Sequence, residues 1–162
     1  MSYLAMEYND GGRSKAGYTG ATGDCVCRAI SIATETPYQE VYDALAGMGK
    51  KERKSKRRSH KSHPRTGVYR VTYEKFLKQL GWTFHATMGI GTGCRVHLRA
   101  DELPEGRLIV RVSKHLTTVI DGVLYDTHDP TREGTRCVYG YYMKEGEVPH
   151  VSRTLSEMFL DI

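Results

Sequence analysis

With 162 residues, 39% of them hydrophobic and 27% charged, the chain has the length of one domain and the material for a real core. No apolar run approaches the roughly 18 residues that a membrane span needs, which excludes a transmembrane helix. The net charge of +5 is local: residues 50–65, KKERKSKRRSHKSHPR, hold nine Lys/Arg against one Glu, a net +8, so the rest of the chain sums to −3.

The first residues, MSYLAMEYND, are acidic and lack an apolar signal core, so no export signal is expected and the cytoplasm is the expected location. In that setting Cys25, Cys27, Cys94 and Cys137 are expected as thiols. Residues 1–23 read as irregular, punctuated by glycine pairs and Thr-Gly steps. From Cys25 the apolar residues Val26, Ala29, Ile30 and Ala33 recur at helical spacing. A second helix is expected from Thr36 as cap, with Pro37 at the first helical position and Gln39 three residues after the cap. Its inner stripe is Val41, Ala44, Leu45 and Met48, and Gly47 and Gly49 end it. The basic run has no apolar face and reads as a flexible insertion over about 50–66, a mobile loop or a frayed helix extension. A third helix, capped by Thr72 and stopped by Gly81, carries Tyr73, Phe76, Leu77 and Leu80.

Extended segments follow. Trp82-Thr83-Phe84 starts one, and MGIGTGCRVHL is a glycine-rich loop entering a short strand, without the Gly-Lys-Ser/Thr ending of a phosphate loop. RLIVRVS (107–113) is apolar enough to be buried on both faces. HLTTVIDGVLYDT (115–127) is a hairpin turning at Asp121-Gly122, and TRCVYGYYM (135–143) is a further strand. Thr154 and Glu157 suit the start of a short terminal helix. Helices first and antiparallel strands second give an α+β class, as one domain over 1–162.

Cys25 stands at the first turn of a helix, where free N–H groups and the dipole favour a thiolate and offer donors to an oxyanion. Asp24 is placed to cap that helix, although its charge opposes the thiolate. Such a nucleophile needs a base, and the base an orienting group. The hairpin serves as a ruler. With Asp121-Gly122 at the turn, Ile120 pairs with Val123, Val119 with Leu124, Thr118 with Tyr125, Thr117 with Asp126 and His115 with His128. His115, Thr117, Asp126 and His128 then share one face, and Asp126 lies diagonally from His115 at about 5–8 Å. The other face, with Leu116, Thr118, Ile120, Val123 and Tyr125, is the packing side. Asp129, beside Pro130, reads as turn chemistry and as an alternative orienting acid.

GDC opening a helix, followed late in the chain by HLTTVIDGVLYDTH, resembles the papain-like cysteine peptidases in the order Cys, His, acid. The D-C-x-x-R-A-I-x-I-A-T pattern with PYQEVYDAL also resembles small phage and prophage proteins of that kind and, more distantly, bacteriocin-processing peptidases. The resemblance spans residues 18–45 and 105–142. It implies N-terminal helices packed on a C-terminal antiparallel sheet and a triad of Cys25, His115 and Asp126, with Asp126-Thr127-His128 standing where papain-type enzymes carry Asn-Ser-Trp. It implies hydrolysis of a peptide or isopeptide bond in a protein or peptide substrate, and a bacterial host's cytoplasm if phage-encoded. Those enzymes place a Gln six residues before the nucleophile; Thr19 stands there in this chain, and the oxyanion donors are expected among Thr19, Thr22 and the Cys25 backbone. No cofactor or metal is expected.

The basic run supports a second expectation, a non-catalytic module. Lys50, Lys51, Arg53, Lys54, Lys56, Arg57, Arg58, Lys61 and Arg65 suit nucleic acid or an acidic partner, without the interleaved aromatics of a single-strand stacking platform.

Overall fold

The computed structural model describes residues 2–20 and 23–146. A donor role for Thr22 and the terminal helix at Thr154 lie outside the described residues. These fold into three helices, α1 (Cys25–Thr34), α2 (Tyr38–Lys50) and α3 (Arg70–Gln79), and six strands: β1 (Ala5–Tyr8), β2 (Trp82–Ala86), β3 (Arg107–Val112), β4 (His115–Ile120), β5 (Val123–Asp126) and β6 (Val138–Lys144). One sheet in the order β1-β5-β4-β3-β6-β2 contains every strand. The class is α+β. Among the described residues no helix is long and apolar enough to cross a membrane.

The sheet is mixed rather than antiparallel, because the supposedly irregular N-terminus supplies β1, which runs parallel to β5 with Ala5 opposite Val123 and Tyr8 opposite Asp126. Periodicity had nothing to report there. All four residues of this edge strand are exposed, so no inward and outward alternation marks it. It is held by main-chain pairing, and it runs alongside Asp126.

The helical stripe of α1 does what its spacing implies. Val26, Ala29, Ile30 and Ala33 are all buried against Ile109 and Leu116 of the sheet, together with Val41 and Leu45 of α2 and Tyr73, Phe76 and Leu77 of α3. The opposite face of the sheet is covered too. Leu108, Val110, Val119 and Leu124 pack there with Leu98 and Leu103 from the connection between β2 and β3. β3 and β4 are therefore buried on both faces, as the apolar run of β3 suggests. The hairpin register is the one read from the turn: Thr118 faces Tyr125, Val119 faces Leu124 and Ile120 faces Val123. Asp121 and Gly122 both have positive φ, at 47° and 80°, as a tight two-residue turn between right-twisted strands requires.

α2 and α3 start at other residues than the capping pattern implies. Pro37, not Thr36, precedes α2, and the Thr36 hydroxyl instead pairs with Thr34. Thr72 sits inside α3, which Tyr69 precedes, and donates to Glu52. Neither Gly47 nor Gly49 ends α2. Gly49 is an approach site: a Cβ there would lie 2.2 Å from the Ser62 carbonyl oxygen. The following segment is pinned at its base, since Glu52 accepts from the Ser62 N–H, the Ser62 hydroxyl and the Thr72 hydroxyl. Ser62 Oγ in turn accepts from the Tyr69 N–H at 2.9 Å.

Two cysteines are not thiols. Cys94 and Cys137 form a disulfide with their Cα atoms 5.7 Å apart. The thiol expectation rested on the character of the N-terminus, whereas this pairing is set by tertiary geometry. Val138 donates to the Val96 carbonyl and Leu98 to the Arg136 carbonyl, both at 2.8 Å, which lays 96–98 beside 136–138. The strand expected after the glycine-rich loop is reduced to one bridge, His97 with Cys137.

One buried hydrogen bond fixes α1 on β4: the Thr118 hydroxyl donates to the Ala29 carbonyl at 2.7 Å. Thr118→Val keeps the shape and removes the donor. It should lower stability by about 1 kcal/mol, read as a lower urea midpoint with unchanged slope.

Candidate active site

The glycines before Cys25 allow two loops to close on each other. A Cβ on Gly23 would lie 2.7 Å from the Arg65 carbonyl oxygen, so only glycine lets the 62–67 segment lie against the approach to α1. Arg65 locks this contact by donating to the Thr19 carbonyl, and its guanidinium lies 5.5 Å from the centre of the Tyr18 ring. The tip of α1 is thereby held beside the segment leading into α3. Between that segment and the start of β4 lies a cleft of about 370 Å³ lined by both Cys25 and His115.

The two residues the hairpin ruler brings together are in contact. His115 Nε2 lies 2.7 Å from Asp126 Oδ2. Asp126 also accepts from the Thr117 hydroxyl at 2.8 Å and the Thr127 N–H at 2.7 Å. These bonds hold the carboxylate in place beside the imidazole. Cys25 lines the same cleft as His115, and His115 and the Leu116 backbone lie near enough to its thiol to favour the thiolate. With Nε2 committed to the carboxylate, Nδ1 is the ring nitrogen that remains for the thiol proton.

The electrostatics follow from these contacts. Burial opposes ionisation of Cys25, but the hydrogen bond and charge of His115, the Leu116 N–H and the Arg28 charge outweigh it, and the thiol is held below its ordinary range. Burial likewise works against an imidazolium, yet Asp126 and Cys25 together raise His115 to about 9. Asp126 is lowered against the pull of burial, chiefly by His115. A thiol, an imidazole and a carboxylate arranged in this way can pass a proton from sulfur to nitrogen and hold the resulting ion pair. Cys27, two residues on, is the contrast. It is fully buried, and burial pushes its thiol up to about 12.

Behind the relay lies a buried charge network. Asp24 makes no capping hydrogen bond to α1. Its carboxylate turns inward instead and accepts from Arg28, from Arg13 at 3.1 Å and from the Tyr38 hydroxyl at 2.6 Å. Arg28 also reaches Asp126, at 3.6 Å. One guanidinium thus joins the residue before Cys25 to the carboxylate that holds His115. Arg28 was legible only as the fourth position after Asp24, an i,i+4 pair on one helix face; its reach to Asp126 is tertiary.

The other candidates fall elsewhere. Asp129 does not orient His115: its carboxylate accepts from the Thr131 N–H at 2.8 Å, which is turn chemistry. Thr19 does not line the cleft, and its carbonyl is taken by Arg65. His128 flanks the site, with its ring centre 5.0 Å from that of His115. Of the nine basic residues, Arg65 is half-buried and the other eight are exposed. Lys61 donates to the Lys50 carbonyl at 2.9 Å and Arg58 lies over the Tyr69 ring. The cleft also contains residues with no local sequence signal, Val68, Tyr69, Arg111 and Tyr139, because pairing of β3 with β6 and docking of the 62–69 segment assemble them.

No family model, curated protein or solved structure matches this chain.

Two outcomes test the network. Arg28→Met leaves two buried carboxylates without their shared cation and should cost about 3–5 kcal/mol, measured by urea unfolding. The His115 contribution should follow pH with a definite sign. Its folded pKa is raised from 6.5 to about 9, so the stabilisation is fully present below about 6.5 and is lost as pH rises through 9. The stability difference between wild type and His115→Gln should shrink over that window.

Proposed function

We propose that the protein is a cysteine-nucleophile hydrolase of papain-like kind, cleaving a peptide or isopeptide bond. The observation that carries this reading is the convergence of Cys25, at the N-terminus of α1, and the hydrogen-bonded pair His115–Asp126, on one hairpin, with Cys25 and His115 lining one cleft. The order of the three along the chain, and the placement of a thiol on a helix and a base on a sheet, support the papain-like assignment. The parallel edge strand β1 is a feature that this assignment must accommodate.

In the proposed reaction the Cys25 sulfur attacks the carbonyl carbon of the scissile bond. The oxyanion that forms faces the first turn of α1, where the Cys25 backbone N–H is a donor. The tetrahedral species collapses, the carbon–nitrogen bond breaks, and the imidazolium of His115 gives its proton to the leaving amine. His115, now neutral, takes a proton from water. The hydroxide adds to the thioester, the carbon–sulfur bond breaks, and the acid and the starting ion pair are restored. Asp126 holds the ring in one orientation and stabilises its cationic form. The same relay serves deamidation or acyl transfer when the leaving group or acceptor differs.

A peptidyl acyloxymethyl ketone, a thiol-reactive acyl probe, tests this reading. Wild type should be labelled once, at Cys25, and Cys25→Ala not at all. His115→Ala should slow labelling by about 10²–10⁴-fold. Turnover of a peptide anilide should rise with pH as Cys25 ionises, below the ordinary thiol range, and fall again near 9 as His115 loses its proton. Absence of labelling together with intact polyanion binding would point to the binding-module alternative.

A further inference from the structure

We propose that the cleft selects an acidic polypeptide, with a carboxylate of the substrate near the scissile bond held by Arg111 and Lys114. This rests on the hydrolase reading and names its substrate class. Among the described residues, the cations lining the cleft besides His115 are Arg70, Arg111 and Lys114, and no Asp or Glu lines it. Arg70 is already engaged, with Glu74 at 2.5 Å. Arg111 and Lys114 are different: no ion pair among the described residues includes either of them.

Their placement is specific. Arg111 lies in β3, opposite Leu116 of β4 and Gly140 of β6, with its guanidinium 5.1 Å from the centre of the Tyr139 ring. Stacking on an aromatic face leaves the edge of the guanidinium fork free for a carboxylate, which it can bind bidentately. Lys114 immediately precedes His115 in the turn between β3 and β4, at φ 56°, and its side chain is exposed. A carboxylate between these two cations therefore lies against the strand that carries the base.

The positive surface continues past the cleft. Its wall of Gly67, Val68 and Tyr69 also lines a second concavity together with Lys54, His60 and Lys61. Arg58 lies 4.9 Å over the Tyr69 ring on that wall. A run of acidic side chains extending from the scissile bond would meet cations along this path. Nucleic acid would satisfy the same charges, but the occupant of the cleft must present an acyl carbon to the Cys25 sulfur, and a polypeptide does.

The test uses two acyloxymethyl ketone probes that differ only in Glu against Gln beside the reactive carbonyl, with second-order labelling rates for wild type, Arg111→Met and Lys114→Asn. Asparagine tolerates the positive φ at 114. The Glu probe should be favoured about 10- to 100-fold by wild type, and the ratio should fall towards one in Arg111→Met and drop in Lys114→Asn. A third probe with an uncharged side chain and a free α-carboxylate distinguishes a terminal carboxylate from a side-chain one as the group recognised. Binding of a Glu-rich peptide to Cys25→Ala, read by fluorescence anisotropy against its Gln-rich counterpart, tests charge recognition without the nucleophile. Loss of labelling with retained, Arg111-dependent peptide binding would sink the hydrolase reading and leave the recognition standing. Equal rates for the Glu and Gln probes, a preference unchanged in both variants, or Arg111-dependent protection of Cys25 by a short oligonucleotide would overturn the proposal.

Discussion

A single imidazole has to face two partners, one on its own hairpin and one from the first helix. The His115 ring meets Asp126 through the local geometry of one hairpin and shares a cleft with Cys25 through the docking of α1 on β4. The first contact is set by a two-residue turn and its register. The second needs α1 docked on the sheet, through the packing of Val26, Ala29 and Ile30 and the Thr118–Ala29 hydrogen bond. The rest of the fold can be understood as satisfying both demands together. β1 runs alongside Asp126, the covering segment around Leu98 and Leu103 closes the far face of the sheet, and the 62–69 segment closes on the tip of α1.

Burial makes this arrangement costly to disturb. Asp24, Arg28 and Asp126 are nearly inaccessible to water, with side-chain exposures of 1%, 4% and 4%. Charges in that environment must be matched in place. Arg28 does this for two carboxylates at once and also favours the Cys25 thiolate. The network therefore couples the residue before the sulfur to the residue behind the imidazole, so that the helix tip and the hairpin share one electrostatic environment.

How far the sequence was legible depended on how local the determining interaction is. The start of α1, the two-sided burial of β3 and the hairpin register follow from spacing and from the Asp121-Gly122 turn, and with the register came the diagonal placement of Asp126 beside His115. What escaped was set by tertiary contact. β1 has no alternation, being exposed throughout. Asp24 looked like a cap because its position suits one, but Arg28, Arg13 and Tyr38 compete for its carboxylate and win. Gly49 looked like a helix stop, whereas its lack of a side chain serves the Ser62 backbone. Cys94 and Cys137 are separated by 43 residues, and only the crossing of two segments brings them together. Arg111 and Tyr139 reached the cleft through the pairing of β3 with β6, which no short stretch encodes.

The pairing of sulfur with imidazole is most directly tested by following thiolate absorbance near 240 nm as pH is raised towards 9. Cys27 is pushed up to about 12 and Cys94 and Cys137 are joined, so Cys25 is the thiol expected to titrate in that range. Wild type should show a step below the ordinary thiol range that is missing in Cys25→Ala and displaced upward in His115→Gln. A wild-type step at or above the ordinary value, or one that His115→Gln leaves in place, would contradict the account.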